Sequence, residues 1–129
     1  MTHLSVICTL WGAHFSPKPL EASTGLRLEN TYESGAIGSN SMPLAYGSAS
    51  IQHDFSEKDF KKGFNPLDPM LTLLEQHQAA LQAAGVTKIS FGVTFGYQAQ
   101  CNWEVRRAEL KRIVALRIAA LRISAYRLP

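Results

Sequence analysis

The chain has 129 residues, of which 46% are hydrophobic and 18% charged, and carries a net charge of +3. That length can bury a core without metal or disulfide support, and the composition is ordinary for a globular protein. No apolar run approaches the roughly 18 residues that span a bilayer, and Met1–Leu10 lacks the basic start of a signal peptide, so a cytoplasmic protein with no membrane partner is expected.

In chain order, Leu4, Val6, Cys8 and Leu10 alternate with Ser5, Ile7 and Thr9, the period of a first strand that ends near Gly12. Ser16, Pro17 and Gly25 punctuate the run Leu20–Thr24 as cap, first turn and terminator of a short helix. Residues 33–43 are rich in Gly, Ser and Asn and read as a long irregular loop of the kind that is often functional or mobile. A second strand follows, with Ala45, Gly47, Ala49 and Ile51 on an inner face small enough for close approach by a neighbour. Residues 53–65 form a polar connector into the clearest helix, whose stripe is Leu67, Met70, Leu71, Leu74, Leu81 and Ala84, with Gly85 just past its end.

From Lys88 to Val105 the odd positions are apolar or aromatic and the even ones polar or glycine, without a break. Extended at about 3.3 Å per residue, such a strand would reach roughly 60 Å, far beyond a compact radius of about 14 Å, so it must bend or protrude, with Gly92 or Gly96 as bend points. A helix over residues 107–117 follows, with Leu110, Ile113, Val114 and Leu116 on or near its buried side. A closing strand then sets Leu121, Ile123 and Ala125 opposite Arg122, Ser124 and Tyr126. The expected fold is therefore one α+β domain over residues 1–129. It has a four- or five-stranded, mainly antiparallel sheet, about three helices and one long bent strand at about 87–105.

Chemistry is harder to find. His3, His14, His53 and His77 lack the short spacings of a metal site, and His53-Asp54 is the one local pair that could orient an imidazole. No phosphate-binding loop, dinucleotide fingerprint or nucleophile elbow is present, so no catalytic residue, metal or cofactor is expected. Cys8 and Cys101 fall on apolar strand faces and read as core residues, with a cross-strand pair as the alternative. Residues 104–129 hold seven of the thirteen basic side chains and two acidic ones. Arg106, Arg107, Lys111, Arg112 and Arg122 are the candidate basic face. Trp11, Phe15, Tyr32, Tyr46 and Phe60, together with the acidic connector residues Asp54, Glu57 and Asp59, are the candidate interaction surface.

The strand leading into Phe15-Ser16-Pro17, the helix ending Thr24-Gly25-Leu26, the loop around Gly35 and the closing pattern Glu109-Leu110-Lys111-Arg112-Ile113 through Leu121-Arg122-Ile123-Ser124-Ala125-Tyr126 together span most of the chain. In these features the sequence resembles the bacterial domain-of-unknown-function family 4279. Where such domains tend to place Gly between the last helix and the last strand, this chain has Arg117-Ile118-Ala119. The resemblance implies a small α+β protein with no catalytic residues, in a group that includes candidates for immunity to bacterial toxins.

The function expected from these readings is protein binding without turnover, with the immunity type as the form the resemblance implies, although nuclease inhibitors are often acidic and this chain is net basic. The alternative is a nucleic-acid-binding module using the basic C-terminal segment, and a small enzyme with an unrecognised site stands third. Homo-oligomerisation through a strand edge is compatible with each.

Overall fold

A computed structural model describes residues 3–60, 63–98 and 104–128. They form one α+β domain built on a five-stranded mixed sheet in the order β2-β3-β1-β4-β5. The strands are β1 (His3–Gly12), β2 (Glu29–Tyr32), β3 (Gly47–Ser56), β4 (Lys88–Tyr97) and β5 (Ala120–Arg127). The helices are α1 (Pro17–Thr24), α2 (Asp68–Gln76), α3 (Gln78–Ala83) and α4 (Arg107–Ala115), with a 3-10 turn at Glu57–Asp59.

β1 is the central strand, antiparallel to β3 on one side and to β4 on the other, so the ladder is continuous from His3 to Trp11 on both flanks. Its even side chains Leu4, Val6, Cys8 and Leu10 are buried, as are Ala49 and Ile51 of β3 and Phe91, Val93 and Phe95 of β4. Leu20, Leu67, Met70, Leu71, Leu74 and Leu81 complete this core from the helices. The alternation of β4 thus places its odd residues in the core, as expected from the sequence. The opposite face of the sheet carries Ser5, Ile7, Thr9, Ser48, Ser50, Ser90 and Thr94.

Gly12 and Gly47 pair across β1 and β3 at the point where the chain must squeeze most tightly. A Cβ on Gly12 would lie 1.9 Å from the Gly85 carbonyl oxygen, and one on Gly47 would lie 2.0 Å from that of Phe15. The close approach expected at the small-residue face of β3 is therefore made by the chain's own β1–α1 connector.

Several expectations are corrected. The strand read over 87–105 ends at Tyr97: Gly92 and Gly96 lie within an unbroken register against β1, and Glu104 and Val105 are not extended ladder residues. The part of that reading over 99–103, including Cys101, lies outside the described residues. Gly96 instead makes room for the Tyr126 ring, whose atoms would stand 2.8 Å from a Cβ there. Four helices are present among the described residues rather than about three, because the long helical stripe breaks at His77 into α2 and α3. No large apolar residue lies between Leu74 and Leu81 to hold one continuous helix against the sheet.

On α4 only Ile113 of the expected apolar stripe is buried, while Leu110 and Val114 are exposed. The helix lies in the crossover between the parallel pair β4 and β5, and among the described residues no further element packs on the flank that carries Leu110 and Val114. It ends without glycine. Arg117 takes φ +56°, and Ile118 N–H donates to Ile113 O at 3.2 Å, the bond that closes a left-handed helix terminus.

Candidate functional site

On the open face of the sheet, adjacent strands bring Ser5, Asp54 and His3 together. The Ser5 hydroxyl donates to Asp54 Oδ1 at 2.6 Å and lies 3.3 Å from His3 Nε2. Gln52 donates a second bond to Asp54 Oδ1 at 2.9 Å. These are the residue types of a nucleophilic triad, but their order is wrong for one. An activated serine gives its proton to an imidazole that the carboxylate orients, whereas here the serine proton points at the carboxylate. The bonds from Ser5 and then Gln52 hold the Asp54 carboxyl below its usual range, which makes it a weak base. The cluster ties β1 to β3. His53 does not join it: strand alternation sends its ring to the other face, in edge contact with Phe55 at 6.4 Å, so the His53-Asp54 pair is not formed.

A cleft of about 720 Å³ lies between α2 and α4, lined by Gly63, Phe64, Asn65, Asp68, Glu104, Arg106, Ala108, Glu109 and Arg112. Its polar groups are committed to one another. Arg112 Nη1 donates to Asp68 at 2.6 Å, its Nη2 and Nε fork onto Glu75 at 2.6 and 3.2 Å, and Nη2 also reaches Thr72. The bonds to Glu75 and then Asp68 raise the guanidinium pKa still further, so it stays charged at any accessible pH. The buried Glu109 accepts from Asn65 Nδ2 at 2.7 Å, and Asn65 Oδ1 accepts from the Leu67 amide at the start of α2. Arg112, expected on a solvated basic face, is instead the clamp between the two helices. Among the described residues no cluster of His, Cys, Asp or Glu is placed to hold a metal ion.

The remaining basic residues do not share one surface. Arg107 and Lys111 are exposed on α4, Arg106 lies 3.7 Å from Glu104, and Arg122 projects from the open face of β5. Arginines on opposite sides of a sheet cannot follow one phosphate backbone together.

The expected interaction surface is also divided. Phe15 is fully buried and belongs to the core, because the connector carrying it turns in over Gly47. Asp59 accepts from the Ser56 amide at 2.9 Å and so caps its own 3-10 turn. Glu57, in the same turn, is exposed. Phe60 packs edge-on against Phe64 at 5.3 Å, and Trp11 is half-buried with Lys88 Nζ 5.2 Å from its ring centre. Asp54 is engaged as described. Only Tyr32 and Tyr46 remain as exposed aromatics of the expected set.

They bracket the loop that the sequence marked as irregular, and the loop is ordered by its own backbone. Gly35 N–H donates to Leu44 O at 2.9 Å, Leu44 N–H to Ala36 O at 2.8 Å and Gly38 N–H to Met42 O at 2.8 Å, with a bridge between Ile37 and Pro43. The base is fastened by Glu33, whose carboxylate accepts from Ser16 Oγ at 2.6 Å and from the Lys18 amide at 3.0 Å, capping α1 in place of the expected Ser16 side chain. The hairpin exposes Ile37 at 69% and Met42 at 61%, along with both tyrosines. Sequence reasoning passed over Ile37 and Met42. Their signal was large apolar side chains inside a Gly- and Ser-rich stretch with no periodicity to bury them. No family model, curated protein or solved structure matches this chain.

Proposed function

We propose that this chain is a protein-binding domain that works without turnover, with the hairpin from Tyr32 to Tyr46 as its contact surface. The observation that carries the reading is the pairing of order with exposure: four large apolar side chains stand in solvent on a loop already held by backbone bonds and by Glu33. A rigid loop loses little conformational entropy on binding, and exposed Tyr, Ile and Met supply the apolar anchors that dominate interface energy. The committed polar groups of the cleft and the unproductive order of Ser5, His3 and Asp54 favour binding over catalysis. An immunity-type role, in which the bound protein is a bacterial toxin, is the specific form suggested by the resemblance to the domain-of-unknown-function family 4279.

The test is affinity capture from the native cell with the wild-type chain and with an Ile37→Glu/Met42→Glu variant. Each recovered protein is then purified and titrated calorimetrically. A partner that binds the wild type and loses at least about tenfold in affinity to the variant, roughly the 1.4 kcal/mol expected of a modest anchor, supports the reading. A partner that binds both equally, or recovery of nucleic acid alone, overturns it.

A further inference from the structure

The two edges of the sheet are built differently. β2, at one edge, has four residues and a register irregularity between Glu29 and Tyr32, which are ordinary ways to make an edge unattractive to another strand. β5, at the other, runs eight residues in unbroken parallel register with β4. Leu128 N–H donates to Tyr97 O at 2.6 Å, next to the Tyr97–Arg127 pair. Backbone groups in a ladder alternate sides, so Arg122, Ser124 and Tyr126 turn theirs toward β4, while Leu121, Ile123 and Ala125 turn theirs outward. Among the described residues no strand pairs with that outer side.

The flank beside this edge is apolar. Ile123, on the helix side of β5, is 52% exposed, and on α4 Val114 is 75% exposed with Leu110 one turn before it. Ile113 points into the core and Arg112 toward α2, so helical phase puts Leu110 and Val114 on the side of α4 away from α2, above the free edge. Arg107 continues the same stripe at i−3 from Leu110, and Arg117 follows just beyond the C-terminal end of α4. Lys111 on α4, Arg127 on the helix side of β5 and Arg122 on its open face add further cations on both sides of the edge, and the ion pairs of Arg106 and Arg112 involve none of the five.

We propose that the outer edge of β5 and the adjoining flank of α4 accept an extended acidic segment of a partner protein as a sixth strand. The backbone of Leu121, Ile123 and Ala125 supplies the ladder, Leu110, Val114 and Ile123 receive the apolar side chains of the added strand, Arg122 lies on the open face to which its acidic side chains alternate, and the cations of the helix side add longer-range attraction. A second copy of this chain fits less well, because two-fold pairing of β5 with itself would bring the same cations face to face. The surface lies at the opposite end of the sheet from the Tyr32–Tyr46 hairpin and stands independently of it.

The experiment is fluorescence anisotropy with a labelled peptide of alternating glutamate and valine, and with a counterpart carrying lysine for glutamate. The expected result is saturable binding of the acidic peptide that weakens as salt rises, with the lysine peptide at least about tenfold weaker. Ala125→Pro removes one outward donor while leaving the ladder to β4 intact, and should weaken binding by about fivefold to tenfold. Val114→Glu, at a solvated helix position, should weaken it comparably and serves if the proline variant does not fold. Three outcomes overturn the proposal. They are no saturable binding to the folded wild type, equal binding of both peptides, or sedimentation showing a dimer that Val114→Glu dissociates, which would give the edge to a second copy.

Discussion

Two side chains carry conformational or ionisation costs that can be measured directly. Arg117 holds φ +56° at the end of α4, a region in which a side chain costs roughly 1–2 kcal/mol and glycine almost nothing. Arg117→Gly should raise stability by about 1 kcal/mol in urea unfolding, the gain being trimmed by the extra freedom of glycine in the unfolded chain. Cys8 is buried between β3 and β4, and burial pushes its thiol up to about 12. It should resist iodoacetamide in the folded protein at neutral pH and react only on unfolding, as mass spectrometry would record. Asp54 shows the opposite sign. Its carboxyl is held low by Ser5 and Gln52, so whatever it adds to stability is present above the ordinary carboxylate value and is lost as pH falls through the lowered one. Thermal melts of Asp54→Asn should converge with the wild type toward the acid end of the titration and separate above it.

At the scale of elements, the strands were the most legible part of the chain and the edges the least. The alternation of residues 88–97 put Phe91, Val93 and Phe95 in the core because one face of β4 is covered by helices and the other is not. Phe91→Ala should therefore cost about 3–5 kcal/mol in chemical denaturation. The same alternation overextended the strand, since a period of two says which side a residue faces and not where hydrogen bonding stops. Helical stripes misled in the reverse way. Leu110 and Val114 fit the phase of a buried face, yet among the described residues nothing covers the flank of α4 that carries them. The cap of α1 was illegible because its carboxylate, Glu33, arrives from beyond β2. Glu33→Ala should cost about 1 kcal/mol and loosen the hairpin, seen as faster amide exchange at Gly35 and Leu44.

For the whole molecule, composition and periodicity were sufficient for an α+β domain with a mostly antiparallel sheet, but not for the strand order. At the end of the central β1–β3 ladder two glycines share one register position, Gly12 and Gly47, and they let the Phe15 and Gly85 backbones close over it. Gly47→Ala should destabilise strongly, because the obstacle is a backbone carbonyl and not a movable side chain. Loss of a cooperative thermal transition, or a fall of several degrees in Tm, would check this.

That central position of β1 bears on how the chain comes to be folded. β1 precedes both of its partners in the chain, and its full ladders await the synthesis of Ser56 and Gly96, since His3 pairs with both. Until Ser56 is made β1 has neither partner, and until Gly96 is made the edge that β4 will cover stays unsatisfied, so closing the sheet means gathering segments far apart in sequence. Folding should accordingly be slow for a chain of this size, in the millisecond to second regime of non-local topologies. The edge of β1 that β4 later covers is the segment most in need of shielding by a chaperone while the ribosome completes β4.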